Sequence, residues 1–209
     1  MQKIIIIKYG ELTTKKDNIG LFLSALKTNV ENSLSGMNTH INFDKGRMFV
    51  EAHDNNYDKV LEKLQKVFGI HEINIGYKIE KDYEILKKEL VNAVKDRNFT
   101  TFKVETKRSD KTYPIKSTEV SKVVGGYILK NIPNIKVDVN SPELLINIEI
   151  RNEEVLIYHD SIRGIGGYPV GTLGKGLLML SGGIDSPVSG YLAMKRGVNI
   201  DAIYFESPP

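Results

Sequence analysis

The chain contains no cysteine and no hydrophobic run that is long enough to cross a membrane. Without cysteine, neither disulfide bonds nor thiol chemistry can come from these 209 residues. The apolar run near the start, Ile4–Ile7, is too short for a signal peptide, and no later stretch approaches the roughly 20 apolar residues of a membrane helix. We therefore expect a cytoplasmic protein that does not associate with a membrane.

Internal repeats and low-complexity tracts are also absent, and the composition is ordinary for a soluble globular protein, with 41% hydrophobic and 26% charged residues. The length predicts two domains and permits three small ones. The net charge of +3 is mildly basic, which permits nucleic-acid binding without establishing it.

The segment with the clearest chemical meaning combines a strand, a loop and a helix. Apolar residues Leu177–Leu180 predict a buried strand, the loop Ser181–Ser186 reads Ser-Gly-Gly-Ile-Asp-Ser, and a helix is predicted over Pro187–Arg196. The start of a helix presents unpaired N–H groups and a partial positive charge. This arrangement therefore suits an anion.

The residue types of this loop all suit phosphate binding. Gly182 and Gly183 permit unusual φ angles and close approach of the backbone, and Ser181 and Ser186 add hydroxyl donors. Asp185 either caps the helix or helps to hold a metal ion beside phosphates. The residue order resembles the pyrophosphate-binding loop of ATP pyrophosphatases, which adenylate a substrate and release pyrophosphate. The alternative is a simple strand-to-helix turn with an Asp cap and two turn glycines.

Two folding units are predicted before this loop. The first has the order βαββαβ up to Tyr77, which is typical of a ferredoxin-like domain. The second has a helix over Glu84–Val94, a strand over Thr100–Thr106, and a helix that Ser117 or Thr118 can cap. Its remaining strands are predicted at 135–139, 144–150 and 155–158.

The segment 164–176 is rich in glycine and predicts a linker with the freedom of a hinge, or a surface that a ligand approaches closely. The last 33 residues are too few for an independent core, so we expect them to be disordered, packed onto the second unit, or completed by another chain. The predicted domain boundaries are 1–77, 78–163, 164–176 and 177–209.

A basic segment lies within the second unit. From Lys103 to Lys130 there are seven Lys or Arg residues against three acidic ones, a local net charge of +4. Such loops bind phosphate backbones, and Tyr113 is available to stack or to pack. The alternative is a solvated charged loop. The candidate RNA-binding residues are Lys103, Lys107, Arg108, Lys111, Lys116, Lys122 and Arg163.

As a whole, the sequence resembles the N-terminal part of the tRNA 4-thiouridine synthases, tRNA sulfurtransferases that are also linked to thiamine biosynthesis. Lys8-Tyr-Gly-Glu-Leu12 opens the ferredoxin-like unit, and Phe102–Pro114 followed by Val123-Val-Gly-Gly126 resembles a THUMP RNA-binding domain. Arg163–Gly171 then leads into Leu180–Val188. The resemblance implies an α+β ferredoxin-like domain, an α/β THUMP domain and the first βαβ of a doubly wound α/β ATP-pyrophosphatase domain, truncated here.

The resemblance also implies a reaction. ATP adenylates the C4 oxygen of a uridine in tRNA, pyrophosphate leaves, and sulfur from a protein persulfide displaces AMP. The implied cofactors are ATP and Mg, and the implied partners are tRNA and a cysteine-desulfurase-type persulfide donor; a homodimer is left open. Asp185 is the implied catalytic residue. The implied contacts to ATP and pyrophosphate are Met179, Leu180, Ser181, Gly182, Gly183, Asp185, Ser186, Tyr204 and Phe205.

The family's nucleophilic cysteine is missing from this sequence, so we expect the 209-residue chain by itself to be inactive. Two other functions remain open from the residues alone. One is an RNA-binding module with a non-catalytic remnant of the phosphate loop. The other is a different adenylating ligase with a small-molecule substrate.

Overall fold

The structure, a computed structural model, describes residues 1–10, 12, 18–43, 46–53 and 56–206. The chain divides into two compact units. The "basic unit" combines Met1–Ile4 with Asn74–Asp160, and the "loop unit" combines Ile5–Ile73 with the residues from Ser161 onward. The elements are β1 Gln2–Lys8, α1 Ile19–Ser33, β2 Thr39–Phe43, β3 Arg47–Ala52, α2 Tyr57–Leu64, β4 Glu72–Glu80, α3 Tyr83–Val94, β5 Thr101–Arg108, α4 Ser117–Asn131, β6 Lys136–Val137, β7 Leu144–Ile150, β8 Glu154–Arg163, β9 Lys175–Leu180, α5 Asp185–Lys195 and β10 Asn199–Tyr204.

The loop unit contains the predicted ferredoxin-like order of elements. Its strands β2, β3 and β1 are neighbours in that order, and β3 pairs antiparallel with both β1 and β2. Strand β4, which follows α2, begins in this unit at Glu72 and continues into the basic unit. Helix α1 places Phe22, Leu26 and Val30 on one face, four residues apart, and this face packs into the same core as Ile5 and Ile7 of β1. The predicted βαββαβ pattern is confirmed.

The basic unit is built on strands in the order β4-β8-β7-β5-β6. Strand β5 pairs in parallel with β7 and β6, and β7 pairs antiparallel with β8. Leu86, Leu90 and Val94 of α3 and the apolar face of α4 enter one buried cluster with the strands. The predicted mixed α/β unit is confirmed, but α4 begins after Lys116, and neither Ser117 nor Thr118 caps it.

The phosphate-loop segment has the predicted βαβ order, with β9 and β10 paired in parallel and α5 between them. The prediction of a buried β9 is wrong, because Leu177 is 67% exposed and Met179 68% exposed. Within the described residues, β10 is the only strand that pairs with β9. The apolar residues of β9 are typical of a strand that is buried on both faces, but the described residues cover only one face of β9.

The glycine-rich segment after β8 is held by backbone hydrogen bonds on both sides. Gly69 N donates to Gly166 O at 2.9 Å, and Gly166 N donates to Ile70 O at 2.8 Å. Further along, Tyr168 N donates to Lys195 O at 2.9 Å. These bonds tie the segment to the residues after α2 and to the end of α5, so it is not a free hinge. We call this fixed segment the "bracket".

Two aromatic contacts extend this bracket. The rings of Phe22 and Tyr168 meet edge to face at 5.4 Å, and those of Phe68 and Tyr191 at 5.1 Å. The phosphate-loop segment thus packs with residues 5–73. Of the three outcomes considered for it, packing onto the second unit is therefore wrong.

His159 is a buried titratable side chain of the basic unit. Its side chain is 4% exposed, its Nδ1 lies 3.3 Å from the Asp160 carboxylate, and neither ring nitrogen makes a well-directed hydrogen bond within the described residues. Burial, aided by the Arg97 cation, lowers the pKa of His159 below 6.5. The folded state therefore holds a neutral imidazole at neutral pH.

We expect the free energy of unfolding to fall as the pH drops through about 6.5, because the unfolded chain takes up this proton before the folded chain does. His159→Phe should flatten the dependence between about pH 7 and pH 5, a window above the ordinary carboxylate range. Urea unfolding at several pH values measures the effect, with His40→Gln, at an exposed position of β2, as the control. An identical slope in His159→Phe and in the wild type would contradict the assignment.

Candidate phosphate loop and nucleic-acid surface

The loop between β9 and α5 is closed by its own serines. Ser181 N donates to Ser186 Oγ at 3.1 Å, and the two serine hydroxyls lie 3.2 Å apart. Gly183 N donates to Ser181 Oγ at 3.4 Å. Ser181, Gly182, Gly183 and Asp185 are all exposed. The loop and the start of α5 are therefore open to solvent, and the start of a helix is a position that favours anion binding.

The backbone conformation of the loop does not require glycine at position 182 or 183. Neither has a positive φ, so the expectation of unusual φ angles is wrong. A β-carbon at Gly182 would meet no heavy atom within 4 Å, and one at Gly183 would lie 3.6 Å from Ser181 Oγ. The fold therefore tolerates a side chain at Gly182, and the role of the two glycines in phosphate binding stays a prediction.

Asp185 is the first residue of α5, not its cap. Ile184 occupies the cap position, and no side-chain capping bond is present. Of the two roles considered for Asp185, that of a helix cap is therefore wrong. Its carboxylate is exposed in the first turn of α5, beside the loop. Among the residues that the structure describes, no cluster of three His, Asp or Glu forms a metal site. A Mg²⁺ ion here would need phosphate oxygens as most of its ligands.

The residues predicted beside adenine lie at the ends of the paired strands. The parallel register places Tyr204 opposite Leu180 and Ile203 opposite Met179. Tyr204 is 61% exposed and Phe205 is 68% exposed. The fold thus brings the strand ends together next to the loop, the place where open α/β sheets bind nucleotides.

The basic segment contains lysines of two kinds. Lys107, Lys111, Lys116 and Lys122 are exposed and form no ion pair within the described residues. By contrast, Lys103 Nζ lies 2.6 Å from Glu105 Oε1. The first four side chains are therefore free to meet phosphates.

Arg108 and Tyr113 build the loop itself. Arg108 Nη1 donates to Tyr113 O at 2.7 Å and to Ile115 O at 2.9 Å. The Tyr113 ring is buried, so of the two roles considered for it, the ring packs and does not stack on a ligand. Arg163 is exposed at the end of β8, in the loop unit.

Asp110 anchors the same loop. Its buried carboxylate pairs with Lys81 and accepts from Thr112 N at 2.8 Å and Thr112 Oγ1 at 2.6 Å. The Lys81 ammonium, followed by these Thr112 bonds, lowers the pKa of Asp110 well below its ordinary value. The basic loop is thus a structured one, which presents its lysines from a defined backbone.

A groove beside α4 adds residues that sequence reasoning missed. This "cationic groove" has a volume of about 830 Å³, and Lys87 Nζ lies 5.2 Å from the Tyr83 ring centre and 5.8 Å from that of Tyr127. Lys87 is far from the basic segment in sequence, so only the packing of α3 on α4 could reveal it. The groove is lined by Lys87, Lys116, Thr118, Glu119, Lys122, Val123, Gly126, Tyr127 and Lys130.

Comparison with known protein families assigns each part of this architecture. Residues 4–74 match the ThiI ferredoxin-like domain, residues 80–160 match the THUMP domain, and residues 171–209 match the family described as thiamine biosynthesis protein (ThiI). In domain order and in sequence, this chain resembles the N-terminal part of the tRNA 4-thiouridine synthases. That resemblance, proposed from the sequence motifs, is confirmed.

Individual relatives agree. The chain is 47% identical over 210 residues to the probable tRNA sulfurtransferase of Thermoanaerobacter pseudethanolicus, covering 100% of this chain and 55% of the relative. It is 44% identical to that of Clostridium kluyveri, covering 100% of this chain and 54% of the relative. The chain thus spans about half the length of the curated relatives it matches.

Solved structures show the same fold. A 4-thiouridine synthetase crystallised as an RNA complex with bound ATP matches with a TM-score of 0.88 and 39% identity, over 100% of this chain and 54% of that one. The protein PH1313 of Pyrococcus horikoshii matches with a TM-score of 0.86 and 29% identity, over 100% of this chain and 70% of that one. The predicted fold class is confirmed.

Proposed function

We propose that this chain supplies the RNA-binding surface and the phosphate loop of an ATP-dependent tRNA sulfurtransferase that makes 4-thiouridine. The observation that carries the proposal is the presence of both parts in one chain: an exposed Ser-Gly-Gly-Ile-Asp-Ser loop at the start of α5, and a structured basic surface on β5 and α4. A pure RNA-binding module would not need the bare loop. A small-molecule ligase would not need the basic surface.

The proposed chemistry follows from the loop. A uridine carbonyl oxygen is a poor leaving group, so it must first be adenylated by ATP with release of pyrophosphate. The N–H groups and hydroxyls at the start of α5 stabilise the charge that grows on pyrophosphate. Half-buried Leu180 at the end of β9, with exposed Tyr204 at the end of β10 and Phe205 after it, offers apolar faces to adenine.

The proposal includes partners that these residues do not themselves contain. Asp185 would supply a carboxylate oxygen to a Mg²⁺ ion bound with the phosphates of ATP. The sulfur would come from a cysteine-desulfurase-type persulfide donor. We also propose that the protein is cytoplasmic and that its domain boundaries are 1–77, 78–163, 164–176 and 177–209. A homodimer is the oligomeric state to test first. Among the described residues, no helix is long and apolar enough to span a bilayer.

The RNA part predicts a steep salt dependence. Binding of tRNA to this chain should weaken with salt by a log–log slope of roughly −0.7 to −0.9 for each phosphate neutralised. Lys107→Ala with Lys122→Ala should reduce the magnitude of the slope by about 1.4 to 1.8 and weaken binding. Fluorescence anisotropy between low and moderate salt measures both quantities.

The matched control replaces two exposed lysines outside this surface, Lys59 of α2 and Lys88 of α3, by alanine. The control should keep the wild-type slope. An unchanged slope in the Lys107/Lys122 variant would remove these lysines from the interface. Arg108 is left intact, because its removal would free the carbonyls that order the loop.

A further inference from the structure

The second half of α5 is held by an aromatic residue from the first part of the chain. The ring of Phe68, which follows α2, meets the ring of Tyr191 on α5 edge to face, with centres 5.1 Å apart and planes at 62°. Phe68 is half-buried and Tyr191 is 42% exposed, and neither belongs to the buried core of the loop unit. The pair is therefore a surface contact, whose loss leaves that core in place.

The bracket ties the end of α5 to the same part of the chain. On one side, Asn29 Nδ2 of α1 donates to Val170 O at 3.1 Å. On the other side, Gly171 N donates to Gly197 O, just after α5, at 2.9 Å. Residues 5–73 thus hold the second half of α5 through one ring pair and through the bracket.

The first residues of α5 belong to the phosphate loop. Tyr191 follows Asp185 by six residues, which is roughly 9 Å along the helix axis. Between them, Gly190 lets α5 lie close to β9, because a β-carbon there would be 2.7 Å from Leu178 Cδ2. A tilt of α5 about this close contact would move Asp185 and Ser186, so whatever fixes the Tyr191 side of the helix also fixes the loop.

We propose that Phe68 is a positioning residue for the adenylation reaction. Its ring acts through Tyr191 to set the direction of α5, and so the places of Ser186 and Asp185 beside the ends of β9 and β10. Phe68 takes no part in the chemistry itself. The inference rests on the proposed function and extends it, because residues 5–73 then set the geometry of the phosphate loop.

The test measures tRNA-dependent release of pyrophosphate from ATP by the full-length protein. Charge grows on pyrophosphate in the transition state, so a displaced loop should lower kcat more than it raises the KM for ATP. Phe68→Ala and Tyr191→Ala should each lower kcat about tenfold, less than the roughly 100-fold that a misplacement of about 1 Å can cost. The double variant should fall no further, because each single variant already removes the shared contact. The KM for tRNA should stay unchanged, since the lysines assigned to RNA belong to the basic unit.

Conservative variants and a stability control separate positioning from plain packing. Phe68→Tyr and Tyr191→Phe keep both rings and should keep the wild-type kcat. Phe68→Leu keeps apolar volume without the ring and should show the tenfold fall even where Phe68→Ala does not fold. Val50→Ala is the control for stability, because Val50 is a fully buried core residue of β3. It should lower the melting temperature and leave kcat unchanged, with every variant assayed well below its own melting temperature.

The outcomes distinguish this inference from the function on which it rests. Unchanged kcat in Phe68→Leu and Tyr191→Ala would overturn the positioning role and leave the proposed function standing. A fall in the double variant equal to the product of the two single effects, or an equal fall in Val50→Ala, would do the same. Absence of pyrophosphate release by the wild type would instead overturn the proposed function, and the positioning role with it.

Discussion

Replacing Asp185 by alanine in the full-length protein should reduce tRNA-dependent release of pyrophosphate from ATP by about 100-fold or more, the scale of losing one preorganised electrostatic group at a reacting centre. Asp185 is exposed in the first turn of α5, beside the serine hydroxyls and the bare glycines of the loop. It makes no capping bond that its loss would break. The expected loss is therefore one of chemistry and not of folding.

The same variant should bind tRNA within a few-fold of the wild type, because the lysines assigned to RNA belong to the basic unit. Asp201→Ala is the control, since Asp201 is an exposed carboxylate on β10 outside the loop. It should release pyrophosphate at the wild-type rate. Release by Asp185→Ala at the wild-type rate would remove Asp185 from the site.

The second large effect is expected at Gly167. Its φ is +79°, and a β-carbon there would lie 2.3 Å from Lys195 O, an acceptor in the bracket that holds α5. Gly167→Ala therefore combines a left-handed backbone penalty of about 1–2 kcal/mol with an overpacking penalty of about 1–3 kcal/mol. We expect the loop unit to lose about 2–5 kcal/mol of stability, together with protection of α5 from hydrogen exchange.

Gly166 offers a matched comparison one residue away. Its φ is +65°, but a β-carbon there would meet nothing within 4 Å. Gly166→Ala should cost only the backbone term, about 1–2 kcal/mol. Hydrogen exchange of residues 185–195, with urea unfolding of both variants, separates the two cases. Equal losses in the two variants would show that the bracket around Lys195 does not hold α5.

Much of the fold was predictable because the periodicities are local. Apolar residues four apart in α1 and alternation in β5 predict their elements, and the bounds of β7 match the predicted range 144–150. The helix start at α4 was missed because a favourable capping residue, Ser117, lies inside the helix while Lys116 occupies the cap. Capping propensity indicates that a helix begins near Ser117, but it locates the first residue only to within one or two positions.

The site was only partly predictable for a different reason. The loop Ser181–Ser186 is contiguous, so its chemistry can be read from six residues. The position of Lys87 beside Tyr127 depends on helix packing, and the docking of the glycine-rich segment depends on contacts between residues about 100 positions apart, such as Gly69 with Gly166. Glycine content predicted backbone freedom in that segment, whereas the structure uses the same freedom to form a tight bracket.

The most direct measurement of the central claim is sulfur incorporated into tRNA by the full-length protein. The protein is incubated with unmodified tRNA, ATP, Mg²⁺ and a persulfide donor, and the digested nucleosides are analysed by mass spectrometry. The account predicts 4-thiouridine that requires ATP and is lost in Asp185→Ala, while Asp201→Ala behaves as the wild type. Absence of 4-thiouridine with the wild-type protein, or its formation without ATP, would contradict the account.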